Sequence, residues 1–295
     1  MTESGDIMKP YIEFPYLGLK FNIDRVAFEL FGIPVYWYGI IIALGVILGV
    51  LFACYIAKKN NLTSDNIIDV VLYGLPVCVI FARIYYVIFQ WDSYKGDILE
   101  IINIRNGGIA IYGAIIGGIL TGYVYCKIKK IKLMQLGDAA AFGLLTGQII
   151  GRWGNFFNQE AFGTNTVLPW GMTGSQIIKE LEYLKNTGIN VDPTLPVHPT
   201  FLYESLWNFC VLILLYIIFT KYHKFDGIVF YSYIVLYGIG RFFIEGLRTD
   251  SLMFLNFRVS QIVAILCVLA GLSLILFNLY IKKTKKCHKS IEISL

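Results

Sequence analysis

Seven long apolar stretches occupy most of this sequence, and each has about the length that a helix needs to cross a lipid bilayer. A hydrocarbon core of ~30 Å takes about 20 apolar residues in a helix. Only 15% of the chain is charged, against about a quarter of an ordinary soluble domain. The sequence therefore predicts an all-α integral membrane protein with about seven transmembrane helices. The stretches run from Pro34 to Ala57, Ile67 to Gln90, Gly107 to Cys126, Met134 to Ile150, Phe201 to Thr220, Gly227 to Phe243 and Gln261 to Ile281.

Lysine is clustered at the ends of alternate apolar stretches, which predicts the orientation of the chain. The formal net charge of +5 would also suit a nucleic-acid partner, but this distribution follows the positive-inside rule and suits anionic lipid headgroups instead. We expect the N-terminus outside the cell, the C-terminus in the cytoplasm and no nucleic-acid partner. The clusters, after the first, third, fifth and seventh stretches, are Lys58 and Lys59; Lys127, Lys129, Lys130 and Lys132; Lys221 and Lys224; and Lys282, Lys283, Lys285, Lys286 and Lys289.

The apolar pattern divides the chain into three regions. Residues 1–33 mix aromatic and charged side chains and lack the pattern of a cleaved signal peptide, so we expect an N-terminal arm lying on the outer interface. Residues 34–281 form the membrane body, and its longest polar segment, about 157–199, is predicted to be a small extracytoplasmic head between helices 4 and 5. Residues 282–295 read as a basic cytoplasmic tail.

The cysteines, histidines and glycines of the sequence indicate helix packing rather than a metal or cofactor site. The six cysteines form no CxxC and the three histidines form no HExxH, so we expect no metal and no cofactor. Cysteine in such a setting is typically a small hydrophobic residue. Glycines recur at the spacing that lets helix backbones approach closely, as at Gly113 and Gly117. Packing is the first interpretation of that spacing, and room for a lipid chain is the alternative.

Arginine, unlike lysine, lies within the apolar stretches or near their predicted outer ends. Arginine in a spanning helix is unfavourable and marks a functional site by default, and its planar fork suits a phosphate group. A structural arginine, paired with a carboxylate, is the alternative for any one of them. The residues are Arg83, Arg105, Arg152, Arg241, Arg248 and Arg258.

The segment GRWGNFFNQE, residues 151–160, stands where the fourth stretch ends. If this segment is helical, Arg152 and Asn155 share a face, and Glu160 follows as the chain turns. A cation, an amide and a carboxylate at one membrane boundary suit the binding of a polar headgroup.

The segment YGIGRFFIEGLR, residues 237–248, places Tyr237, Arg241, Glu245 and Arg248 on one helical stripe. Such a stripe is too polar to face lipid, so it must face the bundle interior or a wet cavity.

Two further segments add polar groups at a similar depth. In HPTFLYE, residues 198–204, proline suits a helix start and Glu204 lies about one turn in, where it needs an arginine partner. Gly107 and Gly108 permit an unusual backbone before Tyr112, whose hydroxyl would point inward. Tyr38 belongs either to an aromatic belt or to the site. Together the segments predict an arginine-rich cavity, open to the outer half of the bilayer, for an anionic phospholipid.

These segments, in this order, resemble the prolipoprotein diacylglyceryl transferase family along nearly the whole chain. The resemblance implies transfer of the diacylglyceryl group of phosphatidylglycerol to the lipobox cysteine of a preprolipoprotein, with a thioether as product and glycerol phosphate as leaving group. It implies a catalytic set of Tyr38, Tyr112, Arg152, Arg241 and Glu245. It also implies a phosphatidylglycerol-binding set of Arg83, Arg152, Asn155, Glu160, Glu204, Tyr237 and Arg248.

One position departs from the family pattern. Tyr112 stands where the family has a histidine, and a free tyrosine, with a pKa near ~10, is a poor base at neutral pH. Either Tyr112 only donates a hydrogen bond, or the base is another group.

Two other kinds of protein would also suit parts of this pattern. A secondary transporter for an anionic or amphipathic solute also places polar residues in helices, but it usually has paired repeats and broken helices at the midplane. Another phospholipid-using transferase would need the same cavity.

Overall fold

The computed structural model describes residues 10–96, 98–104, 107–255 and 257–294; Arg105, singled out above, lies outside these ranges. Ten helices occur in the described ranges. They are α1 (Trp37–Lys59), α2 (Ser64–Phe89), α3 (Trp91–Tyr94), α4 (Ile98–Ile102), α5 (Ile111–Lys129), α6 (Leu133–Asn158), α7 (Ser175–Asn186), α8 (Thr200–Lys221), α9 (Ile228–Glu245) and α10 (Val259–Ser294). Seven of them, α1, α2, α5, α6, α8, α9 and α10, are long and apolar enough to cross a membrane. The predicted seven-helix class is therefore confirmed.

Short strands supplement the helices. They are β1 (Tyr11–Phe14), β2 (Leu19–Asn22), β3 (Val26–Leu30), β4 (Ile33–Tyr36), β5 (Thr173–Gly174), β6 (Met253–Phe254) and β7 (Phe257–Arg258), with a 3-10 turn over Pro15–Leu17. β1 pairs antiparallel with β2 and β5, β3 with β4, and β6 with β7. In the described part of the segment predicted as an interfacial arm, residues 10–33, the chain thus lies largely in two β-hairpins.

Several helix ends differ from those predicted. Pro34 was predicted to begin the first helix, but it belongs to β4, and α1 begins at Trp37. α6 was predicted to end at Ile150 but continues to Asn158. α10 continues to Ser294, through the segment read as a tail.

The described residues form two compact units. Val50–Gly143 make up one, and the described residues on either side of that range make up the other. In the Val50–Gly143 unit, α5 lies directly against α2. A side chain on Gly113 would meet the Phe81 carbonyl oxygen and Ala82 Cα, and one on Gly117 would lie 3.0 Å from the Val77 carbonyl oxygen. The glycine spacing therefore serves close helix packing.

In the other unit, the segment between α6 and α8 has a hydrophobic core of its own. Ile177 and Leu181 lie one turn apart on α7 and are fully buried, together with Met172 and Val197. Ile12 of β1 joins this core because β1 pairs with β5 beside it. The polar segment 157–199 is thus a folded head with a short amphipathic helix.

Candidate active site

Glu204 lies between two arginines that come from two other helices. Its Oε2 is 2.7 Å from Nε of Arg152 on α6, and its Oε1 is 2.9 Å from Nη1 of Arg241 on α9. Nη2 of Arg241 is 2.5 Å from Oε2 of Glu245, one turn along the same helix. We call Arg152, Glu204, Arg241 and Glu245 the arginine–glutamate cluster.

The helices place the two carboxylates of this cluster in the protein interior. Pro199 immediately precedes α8, so Glu204 falls in the second turn of that helix, on its buried face. Glu204 is 3% and Glu245 is 2% exposed. Carboxylates so far from water require close cationic partners, since an unpaired buried charge is strongly unfavourable. Each carboxylate thereby fixes the position of a guanidinium group, as the sequence analysis expected for Glu204.

A polar chain leads away from the cluster at the end of α6. Arg152 Nη1 is 3.5 Å from Asn155 Oδ1, which confirms that the two share a helix face. Asn155 donates through Nδ2 to Glu160 Oε1 at 2.9 Å, and Asn158 donates to the same oxygen at 3.2 Å. Glu160 is exposed and borders a polar cavity of about 250 Å³. The polar groups thus run from a buried cluster to an accessible edge.

Two tyrosines adjoin this part of the molecule. The Tyr237 hydroxyl bonds with the guanidinium of Arg152, close to Glu204 and Arg241. The Tyr38 ring packs on Gly154, where an added Cβ would lie 2.8 Å from Cδ2 of the ring. The predicted residues Tyr38, Arg152 and Tyr237 are therefore close to the same stretch of α6.

Arg248, the last member of the predicted stripe, has a different partner. It donates through Nε and Nη2 to the two carboxylate oxygens of Asp250, at 2.9 and 2.6 Å. Burial alone would raise the pKa of Asp250, but the bonds and charge of Arg248 outweigh that effect and lower it. The backbone of Thr164 in the head donates to the carbonyl oxygen of Leu247, so this turn also ties the head to α9.

Arg83 and Tyr112 belong to the Val50–Gly143 unit. Arg83 is buried and donates to four backbone carbonyl oxygens, those of Glu100, Ile101, Gly107 and Gly108, at 2.6 to 3.0 Å. Both glycines have positive φ, +85° and +76°, as the sequence suggested. Arg83 therefore orders the chain before α5.

Tyr112 lies in the first turn of α5. It is half-buried, with its ring 6.2 Å from that of Tyr85. Its proposed role toward a substrate, like that of Arg83, stays a prediction.

The two guanidinium groups of the cluster are engaged differently. Arg152 meets Glu204 through Nε, and its Nη1 contact with Asn155 is long for a hydrogen bond. Arg241 uses both terminal nitrogens for carboxylates, which holds its plane fixed. Two rigid guanidinium groups joined by one carboxylate form a site that can bind and stabilise a phosphate group.

Three residues of this region are not predicted from the sequence. Arg25 donates to the Asn158 carbonyl oxygen at 2.7 Å and ties the N-terminal strands to the end of α6. Gln148 and Asn208 lie one turn along α6 and α8 from Arg152 and Glu204. The one-turn spacing from Arg152 and Glu204 is the sequence signal that identifies Gln148 and Asn208.

Comparison with known proteins indicates the family of this chain. The family described as prolipoprotein diacylglyceryl transferase matches residues 25–277. A Finegoldia magna protein named phosphatidylglycerol–prolipoprotein diacylglyceryl transferase is 47% identical over 270 residues, which covers 92% of this chain and 100% of the relative. A Clostridioides difficile protein of the same name is 46% identical with the same coverage.

A third relative, from Clostridium perfringens, is named phosphatidylglycerol–prolipoprotein diacylglyceryl transferase 1. It is 44% identical over 273 residues and is likewise covered in full. The seven spanning-length helices and the family match make this a multi-pass membrane protein. Since the match takes in most of the chain and every segment of the cluster, the chain belongs to the prolipoprotein diacylglyceryl transferase family.

Proposed function

We propose that this protein transfers the diacylglyceryl group of phosphatidylglycerol to the cysteine thiol of a prolipoprotein. The observation that carries the proposal is the position of Glu204, which holds Arg152 and Arg241 on opposite sides of one buried carboxylate. The names of the relatives supply the substrates, and the cluster supplies the chemistry that those substrates require.

The reaction makes two chemical demands. The thiol of the acceptor must lose its proton, because the thiolate is the nucleophile. The thiolate then attacks the glycerol carbon that bears the phosphate ester. A carbon–sulfur bond forms, the carbon–oxygen bond breaks, and its electron pair leaves with glycerol phosphate. Negative charge therefore grows on the phosphate as the reaction proceeds.

The cluster meets the second demand. Arg152 and Arg241 stabilise the growing phosphate charge, while Glu204 and Glu245 keep both guanidinium groups in place. Asn155 and Glu160 orient the free glycerol headgroup toward the accessible edge, and Tyr237 completes the wall beside Arg152. Tyr38 and Arg248 are further proposed members of the site, and the roles that the sequence predicts for Tyr112 and Arg83 stay predictions.

We propose an orientation in which the head and the cluster lie toward the outer leaflet. The lysine clusters that end α1, α5, α8 and α10 then face the cytoplasm, in agreement with the positive-inside rule. The phospholipid and the acceptor thiol would both reach the cluster from the outer half of the bilayer.

The proposal is tested with purified protein in detergent, phosphatidylglycerol and a short lipobox peptide. Mass spectrometry should detect a diacylglyceryl adduct on the peptide cysteine. Arg241→Ala should lower the rate about 10²–10³-fold, the usual effect of removing one transition-state donor. Arg241→Lys keeps the charge but loses the fork, so we expect at least a tenfold loss.

Lys179→Ala is the control, since it removes a positive charge from the exposed face of α7. It should transfer at the wild-type rate. Absence of an adduct from folded wild-type protein would contradict the proposed activity. Near-normal transfer by Arg241→Lys would contradict a requirement for the guanidinium fork of Arg241.

A further inference from the structure

A buried asparagine on α8 has no partner for its amide group. Asn208 is 1% exposed, and Nδ2 has no hydrogen-bond partner in the described part of the chain. It lies one turn along the helix from Glu204, on the same buried face. A buried amide without a partner is unfavourable, and in native proteins such a group usually has one. Its position one turn from the arginine–glutamate cluster makes this amide a candidate donor to a bound ligand.

A second amide lies at the corresponding place on α6. Gln148 is one turn from Arg152; its Nε2 is 3.0 Å from the Tyr233 hydroxyl, and its Oε1 is buried with no partner among the described residues. The Tyr233 ring stacks on that of Tyr237, with 5.7 Å between centroids. We call Gln148 and Asn208 the amide pair.

The amide pair forms a polar layer next to the cluster. Gln148 lies one turn before Arg152 on α6, and Asn208 lies one turn after Glu204 on α8. Each step is about 5.4 Å along the helix axis, away from the end of the helix that is nearer the head. Residues of α8 beyond this layer, such as Val211 and Leu215, are apolar and buried. A ligand whose polar atoms reach the amide pair would therefore meet an apolar environment beyond it.

We infer that Asn208 donates a hydrogen bond to an acyl-ester carbonyl of the phospholipid whose phosphate is held by Arg152 and Arg241. This inference rests on the proposed function and adds the linkage that the site selects. An ester carbonyl only accepts hydrogen bonds, and it lies a few bonds from the phosphorus atom, with the acyl chains following. The order along the lipid, which is phosphate, ester and hydrocarbon, matches the order of cluster, amide pair and apolar residues.

Gln148 supplies a second donor to the same layer. A hydroxyl both donates and accepts, so Tyr233 can donate to Oε1 when the amide group turns by half a revolution. Nε2 then becomes available to the other ester carbonyl. Holding the esters fixes the glycerol carbon that the thiolate attacks, so the amide pair orients the transferred group.

A site built to bond a polar group discriminates against an analogue that lacks it, because its own buried groups are then left unpaired. The test compares diacyl phosphatidylglycerol with its dialkyl ether analogue, which has the same phosphate and chains but no carbonyls. We expect wild-type kcat/KM to be about tenfold higher for the ester lipid. Asn208→Leu should lower kcat/KM about tenfold for the ester lipid and leave the ether lipid unchanged. This abolishes the preference, because without Asn208 the amide of Gln148 keeps its bond to the Tyr233 hydroxyl.

Ser205→Ala is the matched control. Ser205 lies three residues before Asn208 and is also buried, but its hydroxyl already donates to the Ile149 carbonyl oxygen at 3.0 Å. The variant should keep the ester preference. Asn208→Ala is a second test variant, and the thermal unfolding midpoint of each variant reports whether it folds.

Lipid binding provides a readout that does not depend on transfer. The ester lipid should raise the unfolding midpoint of the wild type more than the ether lipid does, and Asn208→Leu should remove that difference. Equal kcat/KM for both lipids in the wild type, or an ester preference retained in both Asn208 variants, would overturn the inference and assign the amide to water. Absence of transfer with either lipid would contradict the proposed function instead, and the binding comparison would then decide the role of Asn208.

Discussion

The side chain of Glu204 joins three helices, because two arginines from different helices share its carboxylate. Glu204→Gln keeps the shape but removes the charge and turns an amide N–H toward one guanidinium. Breaking a buried pair destabilises proteins by about 3–5 kcal/mol. We expect about 3 kcal/mol here, since Arg241 retains Glu245. The free energy of unfolding in denaturant measures this loss, and transfer should fall about 10²-fold.

Glu182→Gln provides the control for this change. Glu182 is exposed on α7, so the same substitution should leave both stability and transfer near wild-type values. A Glu204→Gln protein as stable and active as the wild type would show that the arginines need no carboxylate between them.

The sequence predicted these charged residues better than their pairing. The stripe of Tyr237, Arg241 and Glu245 follows from helical spacing within one segment, so it could be predicted locally. The bonds from Glu204 to Arg152 and Arg241 join three helices, and no local pattern encodes them. Asn208 was missed for a related reason: a single asparagine in an apolar stretch matches no motif, and its one-turn spacing from Glu204 gains meaning only once Glu204 is known to bind two arginines.

At the level of whole helices, the errors at helix ends share one physical cause. Hydropathy locates segments that face lipid, whereas a helix continues wherever its polar side chains find partners. α6 was predicted to stop at Ile150 because Arg152 and Asn155 follow, yet those side chains bond within the protein and the helix runs on to Asn158. The opposite error occurred at Pro34, where apolar residues continue into β4.

The contact between α2 and α5 depends on the absence of a side chain at Gly113. An added methyl group would meet the Phe81 carbonyl and Ala82 Cα, which are backbone atoms that cannot move aside. Gly113→Ala should therefore force the helices apart and destabilise the protein by about 1–3 kcal/mol, the usual effect of overpacking. Thermal unfolding in detergent should show a lower midpoint than for the wild type.

Gly118→Ala is the matched control on the same helix. Its added methyl group would lie 3.5 Å from Sγ of Cys78, an ordinary van der Waals distance. We expect its midpoint to stay close to that of the wild type. Equal midpoints for Gly113→Ala and Gly118→Ala would contradict the close packing of these helices.

For the molecule as a whole, charge and helix number together determine the proposed orientation. Tyr183 lies on α7, the helix of the head, which follows α6 along the chain. Tyr222 directly follows α8 and lies between Lys221 and Lys224 in the sequence. A single spanning helix, α8, separates the two tyrosines along the chain. We therefore expect them on opposite sides of the membrane, and the proposed orientation has Tyr222 in the cytoplasm.

Both tyrosines are exposed, 63% and 57% respectively, so they can be replaced by cysteine in a variant without the six native cysteines. That background should retain transfer, because the reacting thiol belongs to the acceptor. In right-side-out vesicles, a membrane-impermeant maleimide should label Tyr183→Cys and leave Tyr222→Cys unlabelled until the vesicles are opened. The reverse pattern would place the head in the cytoplasm and the cluster at the inner leaflet. Labelling of both sites in sealed vesicles would contradict α8 as a spanning helix, since no other helix lies between these two positions along the described chain.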